Sequence, residues 1–133
     1  TVAMCATAVP AMCERGWGRV VAITSVSVRQ PIPNLILSNT ARSGVTAFLK
    51  TLALEVAGKG VTVNSVQPGL HATDRARRLY GDDEAGAAAG IPAGGLGDPA
   101  DFGAVVAFLC SEHARFVVGA AVPIDGGAYR GLQ

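Results

Sequence analysis

The sequence predicts an α/β fold in which helices alternate with parallel strands. Two short β-branched runs, residues 19–24 and 61–66, have the composition of strands buried on both faces. The stretch between them, from about residue 38 to residue 57, repeats apolar side chains at helical spacing. A strand, a helix and a second strand with short links indicate a right-handed parallel βαβ unit.

Two more helices flank this unit. Apolar side chains at helical spacing over residues 1–15 predict an opening helix that ends near Gly16. Pro10 lies inside it and should kink it or remove a hydrogen bond. Asp98 and Pro99 form a typical helix start, with the aspartate as N-cap and the proline in the first turn.

The remaining segments are a third strand candidate and a stretch without clear periodicity. An apolar run over residues 116–124 predicts the third strand. Residues 74–97 have little helical or strand patterning, and we predict a mobile insert on the surface there. Three arginines in this insert have two interpretations. They bind an anionic substrate tail, or they lie on a solvated helix face where three acidic residues balance their charge. The arginines are Arg75, Arg77 and Arg78, and the acids are Asp82, Asp83 and Glu84.

Composition excludes several classes of function. A chain of 133 residues allows a single domain, which we place at residues 1–133. Its net charge of +1 gives no electrostatic basis for binding nucleic acid or an anionic membrane. Three cysteines without CxxC spacing and two histidines predict neither a disulfide framework nor a metal site. No apolar run is long enough to cross a bilayer, and we expect a cytoplasmic protein.

A set of spaced polar residues carries most of the functional information. Ser25 ends the first strand run, Ser38 follows thirteen residues later, and Arg42 follows four residues after that. Three further segments come in order, and they are Val-Asn-Ser-Val-Gln-Pro-Gly at residues 63–69, Leu-Gly-Asp-Pro at residues 96–99 and Ile-Asp-Gly-Gly at residues 124–127. Together they resemble the second half of a short-chain dehydrogenase/reductase. In that family a tyrosine stands at the position of Ser38 and a lysine at the position of Arg42.

The resemblance implies a Rossmann-like doubly wound parallel sheet, of which this chain is the C-terminal half. The family's N-terminal half carries the glycine-rich dinucleotide loop, which this sequence lacks. The implied cofactor is NADP or NAD, and the implied substrate is a small carbonyl or acyl compound. The implied partner is either a second copy, in a dimer or tetramer built on the helices of residues 1–15 and 38–57, or a complementing N-terminal half. A proteolytic remnant without a function of its own is a third interpretation.

Within the resemblance, Ser25, Ser38 and Arg42 are the catalytic candidates. Ser25 is placed to orient the substrate oxygen, and Ser27 is a substitute for it. Arg42 also stands where the family's lysine holds the nicotinamide ribose. The other cofactor-side candidates, on the loop after the second strand, are Pro68, Gly69, His71 and Thr73.

The two replacements change the chemistry that these positions support. A tyrosine, with an ordinary pKa near 10, becomes a usable acid beside a cation, whereas a serine hydroxyl is far less acidic. Arginine is permanently protonated and forked, so Ser38 and Arg42 are suited to hold a carboxylate, phosphate or carbonyl oxygen. The alternative is a decayed site in which Ser38 only caps its helix. His71 is either a surrogate acid or, in our preferred interpretation, a solvent-facing loop residue.

Two functional hypotheses follow. The first is an atypical nicotinamide-dependent reductase that resembles the 3-oxoacyl-acyl-carrier-protein reductases and requires the missing half. The second is a non-catalytic Rossmann-fold protein that acts by subunit association or by binding an acidic ligand at Arg42.

Overall fold

The computed structural model describes residues 1–81 and 83–132, and it contains three parallel strands and five helices. The strands are β1 (Gly18–Ile23), β2 (Val61–Pro68) and β3 (Ala121–Ile124). The helices are α1 (Val2–Glu14), α2 (Ile36–Val56), α3 (Asp74–Tyr80), α4 (Glu84–Ala88) and α5 (Pro99–Leu109). The sheet order is β1-β2-β3, and both pairings are parallel.

Helices cover both faces of the sheet, because alternate strand residues point to opposite sides. One cluster joins Val61 and Val63 of β2 to α1 and α2 through Cys5, Leu49 and Ala53. The other cluster joins Val66 to Leu109 of α5 on the opposite face. The two connections, through α2 and through α5, step in the same direction across the sheet but cover opposite faces. They therefore have opposite hands, so one of them departs from the right-handed rule.

The predicted apolar stripe of α2 is confirmed. Leu49 and Val56 are buried, and three other members of the stripe, at helical spacing from them, are half-buried against the same cluster. Those members are Val45, Phe48 and Leu52. Asp98 is the N-cap of α5, as predicted, and its Oδ1 accepts a hydrogen bond of 2.7 Å from the backbone N–H of Ala100.

Two expectations about local structure are wrong. Residues 74–97 contain α3 and α4, each started by a side-chain cap, from Thr73 and Asp83 respectively. These short helices depend on their caps and lack an extended apolar stripe, which is why periodicity did not predict them. The third strand comprises only Ala121–Ile124, and Phe116, placed in the predicted strand, is 96% exposed.

Of the predicted charge balance near α3, the structure describes only part. Arg77 Nη1 lies 3.0 Å from Asp74 Oδ1, and both side chains are exposed. Asp82 lies outside the described residues, as does the side chain of Glu84. No helix among the described residues combines the length and the apolar character that a membrane span requires.

Candidate active site

Ser38 and Arg42 meet on one face of α2. They are four residues apart and therefore about one helical turn from each other. The Arg42 Nε donates a hydrogen bond of 3.1 Å to the Ser38 Oγ. Ser38 is half-buried and Arg42 is exposed. Because Ser38 accepts from Arg42, its own hydroxyl hydrogen is left to donate to another group.

The capping alternative for Ser38 is wrong. Leu35 is the N-cap of α2, and Ser38 is the third residue inside the helix. Its hydroxyl points to Arg42, as the hydrogen bond shows, and no side-chain hydrogen bond caps this helix.

The pair lies at an apolar cleft of about 630 Å³ bounded by α1, β1 and α2. Met4, Val9 and Met12 line it from α1, while Ile23 and Thr24 line it at the carboxyl end of β1. Arg42 forms no ion pair with any side chain that the structure describes. The cleft therefore combines an apolar wall with the unneutralised guanidinium of Arg42 and the hydroxyl of Ser38.

Ser25 follows the cleft residue Thr24 but does not itself line the cleft. Thr24 is fixed to β2, since its N–H and its Oγ1 both donate to the Val66 carbonyl, at 2.9 and 3.1 Å. Ser25 is half-buried and caps a short 3-10 turn, where its Oγ accepts a hydrogen bond of 3.0 Å from the Ser27 N–H. Ser27 is buried, so its position does not support the substitute role.

A second cleft, of about 330 Å³, gathers the residues predicted to face the cofactor. Pro68, Gly69, His71 and Thr73 all line it. Ile23, 60% exposed, lines this cleft and the first one. The structure thus brings both predicted groups to the carboxyl ends of β1 and β2, on either side of one isoleucine.

His71 is half-buried rather than solvent-facing, so our preferred interpretation of it was wrong. Its ring packs edge-on against Phe102 of α5, with the ring centroids 5.1 Å apart. Its Nδ1 lies 3.3 Å from the Gly69 carbonyl oxygen. Phe102 belongs to a helix that is distant from His71 in the chain, and sequence spacing held no signal that it would pack on a loop histidine.

Gly69 and Thr73 have structural roles in this chain. A Cβ added at Gly69 would lie 2.7 Å from the Cα of Asp125, and the Gly69 N–H donates to the Ile124 carbonyl at 3.0 Å. The close approach that requires glycine is therefore to the loop after β3. Thr73 Oγ1 accepts from the Ala76 N–H at 3.2 Å and caps α3.

No group of three or more His, Cys, Asp or Glu side chains suited to hold a metal occurs within residues 1–81 and 83–132. The three cysteines are free thiols.

Comparisons with known proteins identify the family. The family model described as "Enoyl-(Acyl carrier protein) reductase" matches residues 1–129. The 3-oxoacyl-acyl-carrier-protein reductase FabG of Haemophilus influenzae is 39% identical over 118 residues, which are 89% of this chain and 49% of that protein. The acetoacetyl-CoA reductase of Cupriavidus necator is 40% identical over 120 residues, or 90% of this chain and 49% of that protein. The chain thus spans about half the length of these curated relatives.

Solved structures agree with the sequence comparisons. YwfH, described as an NADPH-dependent reductase involved in bacilysin biosynthesis, has a TM-score of 0.93 at 25% identity, over 98% of this chain and 54% of its own. An NADPH-bound short-chain oxidoreductase of Pseudomonas aeruginosa, described as containing an atypical catalytic center, has a TM-score of 0.84 at 29% identity. That match covers 96% of this chain and 52% of the other. The predicted family and the Rossmann-like α/β fold are confirmed, and the chain belongs to the short-chain dehydrogenase/reductase family.

Proposed function

We propose that this chain forms the substrate-side half of an atypical reductase that transfers hydride from a nicotinamide cofactor to a ketoacyl-like carbonyl. The observation that carries the proposal is the Arg42–Ser38 hydrogen bond at the mouth of an apolar cleft. The family supports the reaction class, since FabG and the acetoacetyl-CoA reductase both match about nine-tenths of the chain.

In this proposal Ser38 and Arg42 bind and polarise the carbonyl oxygen. The Ser38 hydroxyl donates outward because Arg42 already occupies it as an acceptor. The remaining guanidinium N–H groups of Arg42 stabilise the negative charge that develops on that oxygen. Ser25 lies two residues beyond β1 and outside the cleft, so in this proposal it contacts only a substrate that extends past Thr24. None of these three residues is a ready proton donor at neutral pH, so reduction is slower than with a tyrosine at position 38.

The proton then comes from water or from His71, in the neighbouring cleft. Ile23 lines both clefts. His71 lines the second cleft, and Ile23 separates it from the first cleft, which holds Ser38 and Arg42. Histidine is the side chain whose ordinary pKa lies nearest to neutrality, which suits it to this role.

Cofactor binding is proposed for the second cleft together with Arg42. Pro68, Gly69 and His71 form a wall of it, and this wall fits the flat nicotinamide end of NADP or NAD. When bound, the cofactor supplies the hydride. Arg42 offers donors to the ribose, whereas the Thr73 hydroxyl is already accepting a hydrogen bond as a helix cap. The sequence has no glycine-rich loop for the pyrophosphate, so we propose that an N-terminal half, in the same polypeptide or in another, completes the site.

Binding of the cofactor gives the first test. NADPH and NADH are titrated by fluorescence against the 133-residue chain alone and against the chain joined to an N-terminal dinucleotide-binding half. We expect binding only in the joined form. Binding of equal affinity by the isolated chain would contradict the requirement for the second half.

Turnover gives the second test. In the joined form, the double change Ser38→Tyr and Arg42→Lys should raise the rate of NADPH oxidation with a ketoacyl thioester by about 100-fold or more, since general acid catalysis typically contributes that much. The matched control, Ser43→Tyr with Ala47→Lys, places the same side chains at the same spacing on exposed positions of α2 outside the cleft. Fast turnover by the unchanged protein, with no gain from the double change, would sink the proposal that positions 38 and 42 limit proton transfer.

The alternative function, association without catalysis, is favoured by a different observation. Large apolar side chains are exposed on α1 and α2, and they are Val2, Met4, Ile36, Leu37 and Leu54. Such a face is suited to a homodimer or homotetramer. Sedimentation measurements on the chain and on Leu37→Glu test whether this face associates. The turnover assay on the joined form then distinguishes the two functions, because association without any turnover favours the alternative. The three free thiols fit the cytoplasmic location that we propose for either function.

A further inference from the structure

A third cavity, of about 280 Å³, lies between α2 and the segment that enters β3. We propose that it is a binding site for a small oxyanion, a carboxylate or phosphate group carried by a compact ligand. Its charged residues are Arg29 and Lys50, and we call it the Arg29–Lys50 pocket. It shares no lining residue with either of the clefts described above. A ligand bound there therefore does not occupy the proposed reaction site.

Arg29 is held in place by three contacts, and no acidic side chain among the described residues forms an ion pair with it. Its Nε donates to Gln67 Oε1 at 2.6 Å, and its Nη2 donates to the Ala121 carbonyl at 2.9 Å. Its guanidinium also lies over the Tyr129 ring, 5.7 Å from the centroid. All three partners are neutral, and Gln67 is itself buried. Since these neighbours are neutral, none of them offsets the positive charge of Arg29. Attraction between opposite charges is stronger in a half-buried region of reduced dielectric, so this position favours an anion beside the guanidinium.

Lys50 adds a second cation from α2. Its Nζ donates to the Gly119 carbonyl at 3.0 Å, which leaves two further N–H donors. Gly119 and Ala121 flank Ala120, and all three line the pocket. Lys50 and Arg29 thus donate to the carbonyls on either side of Ala120, and both cations line the same cavity.

The rest of the lining is hydroxyl, amide and apolar. Ser65 of β2 is 3% exposed and lines the pocket. Thr46 lies across from it on α2, and its hydroxyl donates to the Arg42 carbonyl at 2.8 Å. No aspartate or glutamate is among the described residues that line the pocket. Two cations and a hydroxyl donor, with no acid, form a donor set that matches the oxygens of a carboxylate or phosphate.

A purely structural role for Arg29, in which it only ties its loop to β2 and β3, makes a different prediction about Lys50. Lys50 is on the surface of α2, so its removal leaves the Arg29 contacts in place. In the structural interpretation, replacing Lys50 has no effect on anions. In the site proposed here, it removes one of the two charges that hold the ligand.

The experiment titrates inorganic phosphate and, separately, succinate into the full chain at constant ionic strength, set with sodium chloride. Two-dimensional NMR follows the backbone amides of Gly119, Ala120 and Ala121, and isothermal calorimetry gives the affinity. The variants are Lys50→Met and the matched control Lys59→Met, which removes an exposed lysine in the short 3-10 turn after α2 that lines none of the three cavities. A circular dichroism spectrum for each variant checks that it is folded.

We expect saturable shifts at residues 119–121 in the unchanged chain and in Lys59→Met, with affinity about tenfold lower in Lys50→Met. Ser65→Ala, which removes a hydroxyl without a charge, should weaken binding by a smaller factor. A stronger response to phosphate identifies a phosphate-bearing ligand, and a stronger response to succinate identifies a carboxylate. Absence of saturable shifts with both anions, or equal affinity in Lys50→Met and the unchanged chain, overturns the proposal. Neither outcome bears on the reductase, because its test uses a separate cleft.

Discussion

β1 and β2 are neighbours in one sheet, yet their environments differ sharply. Seven of the eight residues of β2 are buried, whereas β1 has one buried residue and ends in an exposed Ile23. β2 pairs with a strand on each side and has a helix layer on each face, while β1 pairs only with β2 in the described sheet. The comparison shows that the described fold is closed around β2 and open at β1. The proposed reaction site lies at the open side, where the 630 Å³ cleft separates α1 from α2.

The largest expected difference between the strands comes from one substitution made in each. Val63→Asp in β2 places a carboxylate in a fully buried position and should remove more than about 4 kcal/mol from the free energy of unfolding. Ile23→Asp at the exposed end of β1 should remove about 1 kcal/mol or less. Urea unfolding followed by circular dichroism measures both. Similar losses at the two positions would mean that β1 is covered as well as β2.

The next effect tests whether buried polar groups complete the closed side. Asn64 Nδ2 donates to the Val117 carbonyl at 2.8 Å, and its Oδ1 accepts from the Ala120 N–H at 2.9 Å. Asn64→Ala leaves both backbone groups without their partner and should lower the free energy of unfolding by about 3 kcal/mol. Asn39→Ala removes one hydrogen bond to the Ile32 carbonyl from a half-buried side chain, and it should have an effect of about 1 kcal/mol or less. The same urea experiment compares them, and a larger effect at Asn39 would reverse the assignment of the closed side.

The seam between the two strands gives a smaller effect. Gly60, just before β2, has φ of +74°, and an added Cβ would collide with the carbonyl oxygen of Gly16. Gly60→Ala should therefore lower the free energy of unfolding by about 2 kcal/mol. Gly58→Ala is the matched control, because no atom lies within 4 Å of its added Cβ. It should leave stability unchanged or raise it slightly, and thermal unfolding decides between these outcomes.

The smallest effect concerns the ion pair that anchors the start of β1. Only 5% of the Arg19 side chain is exposed, and its Nη2 lies 3.4 Å from Glu112 Oε2. The other carboxylate oxygen of Glu112 accepts a hydrogen bond from the Trp17 indole. Glu112→Gln keeps an acceptor for Trp17 but removes the charge beside Arg19, and it should lower the free energy of unfolding by about 1 kcal/mol. Arg77→Gln, at the exposed pair with Asp74, should change it by about 0.5 kcal/mol or less. Fluorescence of Trp17, the single tryptophan, follows the unfolding of both variants.

Sequence periodicity predicted what depends on neighbouring residues. The stripe of α2, the strands β1 and β2 and the cap of α5 follow from spacing and side-chain type alone. The spacing of Ser38 and Arg42 predicted their contact, because residues four apart share a helix face. Periodicity did not predict α3 and α4, since short helices that begin at side-chain caps carry no apolar stripe. The family, inferred from ordered motifs, is confirmed, while the roles of Ser25, Ser38, Arg42 and the loop of residues 68–73 remain predictions.

What the sequence determined by itself is therefore the α/β class, the family and the replacement of a tunable acid by a serine beside an arginine. Only the tertiary structure decided that His71 packs on Phe102, that Gly69 faces Asp125, and that Arg29 and Lys50 share a cavity. The physical reason is the range of the interactions. Helix faces and caps form between residues a few positions apart, so spacing in the chain records them. Contacts between residues tens of positions apart depend on how the sheet and its helices pack, and no local pattern encodes them.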